Sequence, residues 1–175
     1  MQILKEKSRA KSQITFDEDF NVPDAKPDAG RLIQNKGRII MDDVRLTDGK
    51  GILTGNLQVD ILYVGEERGI VSSLTAKLPF EETLNLKDII NGDKMCLKWE
   101  IEDLTIRLIH SRKLNIKALV TFCATVDETE QIRLPVALDA EEVSVRKKTV
   151  RFLRLTVHKK DTLRIQDEYT IAFNR

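Results

Sequence analysis

Histidine, cysteine and tryptophan are scarce in this chain: 175 residues hold two His, two Cys and one Trp. His110, His158, Cys96 and Cys123 never fall at the spacing of a metal-ligand set, so no metal centre is expected. Two cysteines are too few for the framework of a small secreted scaffold and suit a reducing compartment. Neither sign of charge prevails. Lysines and arginines number 29 against 28 acids, a net charge of +1, and no global field draws the chain to nucleic acid or to an acidic membrane. Long apolar runs are missing too, which argues against a membrane span, and the opening MQILKEKSRAKS has no apolar stretch of signal-peptide length.

Catalytic signatures are equally thin. No serine elbow, His-Glu pair or Gly-rich phosphate loop stands at a strand-to-helix transition. Gly65-Glu66-Glu67-Arg68-Gly69 has the length of a phosphate loop without its Gly-Lys-Ser/Thr ending and reads as a hairpin turn. The acidic groups Asp17-Glu18-Asp19 and Glu141-Glu142 read as solvated strand faces rather than as paired general acids. Neither an enzyme nor a cofactor is expected.

What the chain does have is alternation. In residues 51 to 63, GILTGNLQVDILY, Leu53, Leu57, Val59, Ile61 and Tyr63 share one face while Thr54, Asn56, Gln58 and Asp60 share the other, the pattern of a half-buried strand. Asp48-Gly49 predicts a tight turn from the preceding RIIMDDVRL strand. In the strand after Gly69, Ile70, Leu74, Ala76, Leu78 and Phe80 alternate with polar neighbours. These runs read as an antiparallel meander with one face on the core.

A second hairpin covers residues 95 to 126. Met95, Leu97, Trp99 and Ile101 take odd positions, whereas Leu104, Ile106 and Leu108 take even ones, so the inward face slips by one residue near Glu102. This predicts a β-bulge there. The returning strand keeps one phase from Leu114 to Val126, and burial is expected for Trp99, Ile101, Leu104, Ile106, Val120 and Phe122. The bulged register puts Cys123 opposite Lys98 and diagonal to Cys96, a poor disulfide geometry.

Helix is expected over residues 27 to 36, where Pro27-Asp28 supplies an early proline and an acidic first turn and Gly37 a stop. A further turn is expected in LKDIING. The predicted fold class is all-β and mainly antiparallel: a β-sandwich or partly open barrel with one short helix.

Two features remain. Arg146, Lys147, Lys148, Arg151, Arg154, His158, Lys159 and Lys160 form one basic stretch, readable as a patch for an acidic partner, with Arg151 and Arg154 as its candidates, or as a charged outer strand face. No exposed aromatics interleave it as on a nucleic-acid platform. The other is a repeat: QITFDEDFNV at residues 13 to 22 returns as TLRIQDEYTI at residues 162 to 171, predicting a unit of about 150 residues followed by the opening strand of a second.

Taken in order, VPDAKPDAGRLIQNKGRI, LTGNLQVDILYVGEERGIVSSLTAKLPFEETL and RKLNIKALVTFCATV, the chain resembles the SPOCS domain of sporulating Clostridia, which often occurs in tandem ahead of a LysM module. The resemblance implies a first SPOCS-like domain over residues 1–145, then a linker strand and the opening strand of a second copy over 146–175. It implies a non-enzymatic interaction or assembly module of the spore envelope. Such a module acts in the mother-cell cytoplasm at the forespore surface and binds the ATPase of the coat's basement layer. The most specific stretches nominate Pro23, Lys26, Pro27, Asp28, Arg112 and Lys113 as partner-binding candidates. Edge strands could pair a second copy into a homo-oligomer. Two other readings compete: a carbohydrate or cell-wall binding β-domain, weakened by the shortage of aromatics, and a self-polymerising coat subunit.

Overall fold

The described residues form six strands: β1 (Gln2–Asn21), β2 (Ala29–Thr47), β3 (Lys50–Gly65), β4 (Val71–Asn85), β5 (Met95–His110) and β6 (Lys113–Gln131). The computed structural model describes residues 2–133, apart from Arg68 and Asn91, together with Ser144, Arg146, Lys148, Thr149 and Arg151. Contacts divide the protein into two units, Leu4–Glu130 and, separately, residues 1–3 with 131–175. In the second, Ser144, Arg146, Lys148, Thr149 and Arg151 are exposed and outside any strand. The repeat at 162–171, and Lys147, Arg154, His158, Lys159 and Lys160 of the basic stretch, lie outside the described residues.

The strands form two three-stranded antiparallel sheets, ordered β1-β6-β5 and β2-β3-β4. In β3 every second residue is buried from Gly51 to Gly65, and the partners on β4, Leu74, Ala76, Leu78, Phe80 and Leu84, are buried too. That hairpin keeps one register from Lys50↔Asn85 to Val64↔Val71. On β6, Leu114, Ile116, Ala118, Val120, Phe122, Ala124 and Val126 form the other inner face. The faces meet through aromatic rings: Phe80 lies 6.2 Å from Phe16 edge-on and 5.2 Å from Phe122. Two sheets with their apolar faces together make a sandwich.

The phase slip read in the sequence is present as a register shift between Ile101 and Asp103. It turns Glu102 outward, where its carboxylate accepts from the Thr121 hydroxyl and from Gln13 Nε2 at 3.2 Å. Cys123 faces Lys98, as the register required, and both cysteines are free and half-buried. A second shift, between Leu108 and His110, leaves no mark in the apolar pattern.

Three expectations are corrected. Residues 27 to 36 form no helix; from Ala29 onward they belong to β2, paired with β3 from Ala29↔Gly65 to Lys36↔Asp60. Register shifts between Ala29 and Arg31 and between Leu32 and Gln34 break the period of two that would have revealed the strand. Gly37 is not a helix stop. It gives room for β5, because a methyl group there would lie 2.9 Å from Leu104 Cδ2 and 3.1 Å from Ile101 Cδ1. The LKDIING segment, by contrast, forms the turn expected of it, with Asp88 at φ 57° and Gly92 at φ 111°.

Trp99 is 40% exposed rather than buried. It pairs with buried Phe122, but β5 is the edge of its sheet and leaves the ring's flank in water. Ile101, Leu104 and Ile106, on the same edge strand, are partly buried against the core. Ile70 is exposed as well, because it ends the β3–β4 turn, where its carbonyl accepts from Gly65 N at 2.8 Å.

Candidate functional site

The segment 22–28 carries the chain from β1 in one sheet to β2 in the other, and Arg112 lies against it. Pro23 and Pro27 hold φ and lack donors, so a segment with few donors of its own must be tied from outside. Arg112 does this from the two-residue Ser111-Arg112 turn between β5 and β6. One guanidinium nitrogen donates to Lys26 O at 3.2 Å and Asp28 Oδ1 at 2.8 Å; the other donates to Val22 O and Asp24 Oδ1, both at 3.0 Å. A planar fork of five donors is the side chain suited to four acceptors set around it.

The backbone repeats the connection. Val22 N donates to Arg112 O at 2.9 Å and Ala29 N to Ser111 O at 2.7 Å. Tyr63, fully buried on β3, donates its hydroxyl to Pro27 O at 2.9 Å. Arg112 holds the Asp28 carboxyl below its usual range, first through the hydrogen bond and then through its charge, with Ser111 adding a weaker donor. Beside this corner Lys113 pairs with Asp19 at 2.7 Å and Lys117 with Asp17 at 2.8 Å, while Asn115 donates to both acids. Asp17 and Asp19 of β1 are therefore a ladder across to β6, each held below the usual carboxylate range by its lysine first and Asn115 second.

Of the sequence candidates, the structure brings Pro23, Lys26, Pro27, Asp28, Arg112 and Lys113 into one corner. Arg151 is exposed in the second unit, and Arg154 lies outside the described residues. Within the corner, Pro23 and Pro27 are exposed and Lys26 is half-buried, whereas the Arg112 guanidinium is committed to the fold.

A second place was missed by sequence reasoning: the outer face of β2-β3-β4. A shallow trough of ≈ 340 Å³ runs across it between Gln34, Lys36, Asp60, Leu62, Ser73 and Thr75. At its floor Asp60 accepts from Gln58 Nε2 at 3.1 Å and Thr75 Oγ1 at 2.8 Å, and Arg38 lies 3.2 Å away. These donors, ahead of the charges of Arg38 and Lys36, lower the Asp60 pKa. The missed signal was in the text of β3: its outward residues run Thr54, Asn56, Gln58, Asp60 and then turn apolar at Leu62 and Val64.

Among the described residues no three His, Cys, Asp or Glu side chains converge as a metal site would need. A family model described as "SipL, SPOCS domain" matches residues 28–109. That stretch runs from Asp28 of the corner through β2, β3 and β4 into β5. No curated protein and no solved structure matches the chain.

Proposed function

We propose, from the match of residues 28–109 to the SPOCS domain family model, that this protein is a non-enzymatic interaction and assembly module of the bacterial spore envelope. In this reading it works in the mother-cell cytoplasm and binds a coat morphogenetic protein, the basement-layer ATPase, at the forespore surface. The family match carries the proposal. The physical chemistry supports it: a two-sheet scaffold that leaves large apolar side chains such as Ile33, Ile70 and Val71 exposed offers surfaces for recognition.

The carbohydrate reading draws its support from Trp99, which keeps 40% of its surface exposed. It is the weaker one, since the trough is lined without an aromatic ring on which a sugar could stack. The deciding experiment is capture of the basement-layer ATPase by the tagged full chain in sporulating cells, paired with imaging of a fluorescent fusion. Enrichment of the ATPase and a ring of fluorescence around the forespore are expected. Diffuse fluorescence and no enrichment, with retention on purified cell wall, would transfer the assignment to the carbohydrate reading.

A further inference from the structure

The outer face of β2-β3-β4 has two unlike ends. At one, Val64 and Val71 stand directly opposite each other, Leu62 follows on β3, and exposed Ile33 and Ile70 flank them. Val71, Ile70 and Ile33 are 57%, 54% and 47% exposed. The period of two places Leu62 and Val64 on the face whose other members, from Thr54 to Asp60, are polar. Core packing therefore does not explain them, and a cluster of large apolar side chains on an outward sheet face is a mark of an interaction surface.

The other end is cationic. Lys36 stands opposite Asp60, Arg38 opposite Gln58, and Lys77 opposite Gln58 from the other side, whereas Arg31, opposite Val64, belongs to the apolar end. Asp60 is the single acid among these pairs, and it is already engaged by Gln58, Thr75 and Arg38. Lys36 and Lys77 form no salt bridge among the described residues, unlike the lysines of β6, each of which has its own aspartate on β1. The trough joins the two ends, since Leu62 and Ser73 line it along with Lys36 and Thr75. From Val71 to Lys77 the face is about 20 Å long, the reach of roughly six residues of extended chain.

We propose that this face docks an extended peptide segment of a partner protein, with carboxylates over Lys36 and Lys77 and apolar side chains over Val64 and Val71. The proposal rests on the interaction-module reading and adds to it the place and the chemistry of the contact. Peptide fits better than polyanion, because one half of the surface is apolar and has no aromatic ring for a base to stack on. Glu66 and Glu67 lie in the turn beyond the apolar end, where they disfavour binding in the reversed direction.

The test titrates the full chain, amides resolved by NMR, with the capped hexapeptide Glu-Glu-Glu-Leu-Ile-Leu and, separately, Lys-Lys-Lys-Leu-Ile-Leu. The acidic peptide is expected to shift amides of β2, β3 and β4 around Lys36, Asp60, Val71 and Thr75, with affinity falling as salt rises. The basic peptide, and the acidic peptide on a Lys36→Glu/Lys77→Glu variant, are expected to bind at least about tenfold more weakly. Val71→Ser is expected to weaken the acidic peptide without removing its salt dependence. Equal binding of both peptides, or shifts confined to β1 and β6, would overturn the proposal. So would peptide-independent shifts that grow with protein concentration, which would give the face to a second copy. Should the Lys36→Glu/Lys77→Glu variant capture the coat ATPase as well as the wild type, the docking face falls and the functional reading stands. Should the wild type bind the acidic peptide but capture no coat protein, the reading falls and the face stands.

Discussion

Among the described residues the chain crosses between the two sheets twice, at residues 22–28 and at residues 86–94, and the two crossings are fastened differently. At the first, Arg112 reaches four acceptors, two of them backbone carbonyls, and the turn that carries it adds two backbone hydrogen bonds. At the second, Leu86 and Ile89 are buried, and Lys7 of β1 meets Asp93 at 2.8 Å, whose carboxylate also caps Ile90 N. One crossing is held by a directional fork, the other by a point charge over two apolar anchors. A segment with two prolines and only Val22 buried leans on hydrogen bonds from Arg112 and Tyr63, whereas a segment with buried leucine and isoleucine is already placed by its side chains.

Breaking what the crossings share should cost most. Both deliver strands to the aromatic column Phe16, Phe80 and Phe122, where Phe122 is fully buried. Phe122→Ala is expected to destabilise by about 3–5 kcal/mol, read as a shifted denaturant midpoint at constant slope. A loss below about 1 kcal/mol would mean that the sheets do not depend on the column.

Next comes Gly55 in the middle of β3. A methyl group there would collide with the Ile40 carbonyl oxygen and sit 3.0 Å from Phe80 Cζ, so the β2–β3 ladder itself must move. Gly55→Ala is expected to cost about 1–3 kcal/mol, the range for overpacking. Gly37→Ala meets only the ends of Leu104 and Ile101 side chains, which can turn aside. Its cost is expected to be the smaller of the two, and a reversed order would show that β2 is the more rigid partner.

The comparison of fasteners is sharpened by exchanging them. Arg112→Lys keeps the charge and loses the fork, so it is expected to lower the melting temperature and to speed hydrogen exchange at Val22 and Ala29. Lys7→Arg keeps a charge near Asp93 and is expected to change little. Equal effects from the two swaps would reduce Arg112 to a point charge and remove the distinction.

Much of this architecture was legible in the sequence because most strands keep a single phase. The β3–β4 hairpin shows its buried face in Leu53 to Tyr63 and Leu74 to Phe80, and even the bulge at Glu102 could be placed, since apolar residues stood on both sides of the slip. β2 was illegible for the complementary reason. Two of its three shifts fall within six residues and scramble the period, and Pro27, Asp28 and Gly37 imitate the ends of a helix. The corner was half legible: the resemblance nominated Pro23 to Asp28 and Arg112-Lys113, but only coordinates show that the arginine and the segment meet. Trp99 was misjudged because alternation reports the face of a strand and says nothing of whether a neighbouring strand covers its edge.

The smallest expected effect is the most specific to the comparison. Asp28 and Asp93 both titrate below the ordinary carboxylate value of 3.8, the first chiefly through its hydrogen bond from Arg112, the second chiefly through that from Lys7. A depressed native pKa adds stability that is complete above the unfolded value and is lost as pH falls through the folded one. Lys7 has the opposite sign: its pKa is raised above 10.5 chiefly by the hydrogen bond to Asp93, so its share is complete below 10.5 and is lost as pH rises through the folded value. Arginine keeps its proton throughout that range. The stability difference between wild type and Asp93→Asn is therefore expected to shrink at both ends of the pH scale. The difference between wild type and Asp28→Asn is expected to shrink at the acid end alone. Paired urea titrations at acidic, neutral and strongly alkaline pH read both differences directly, with each variant controlling for the other lysines and tyrosines that titrate in base. If the Asp28 difference also vanishes in alkali, the first crossing depends on some titrating group other than Arg112, and the contrast between fork and point charge is wrong.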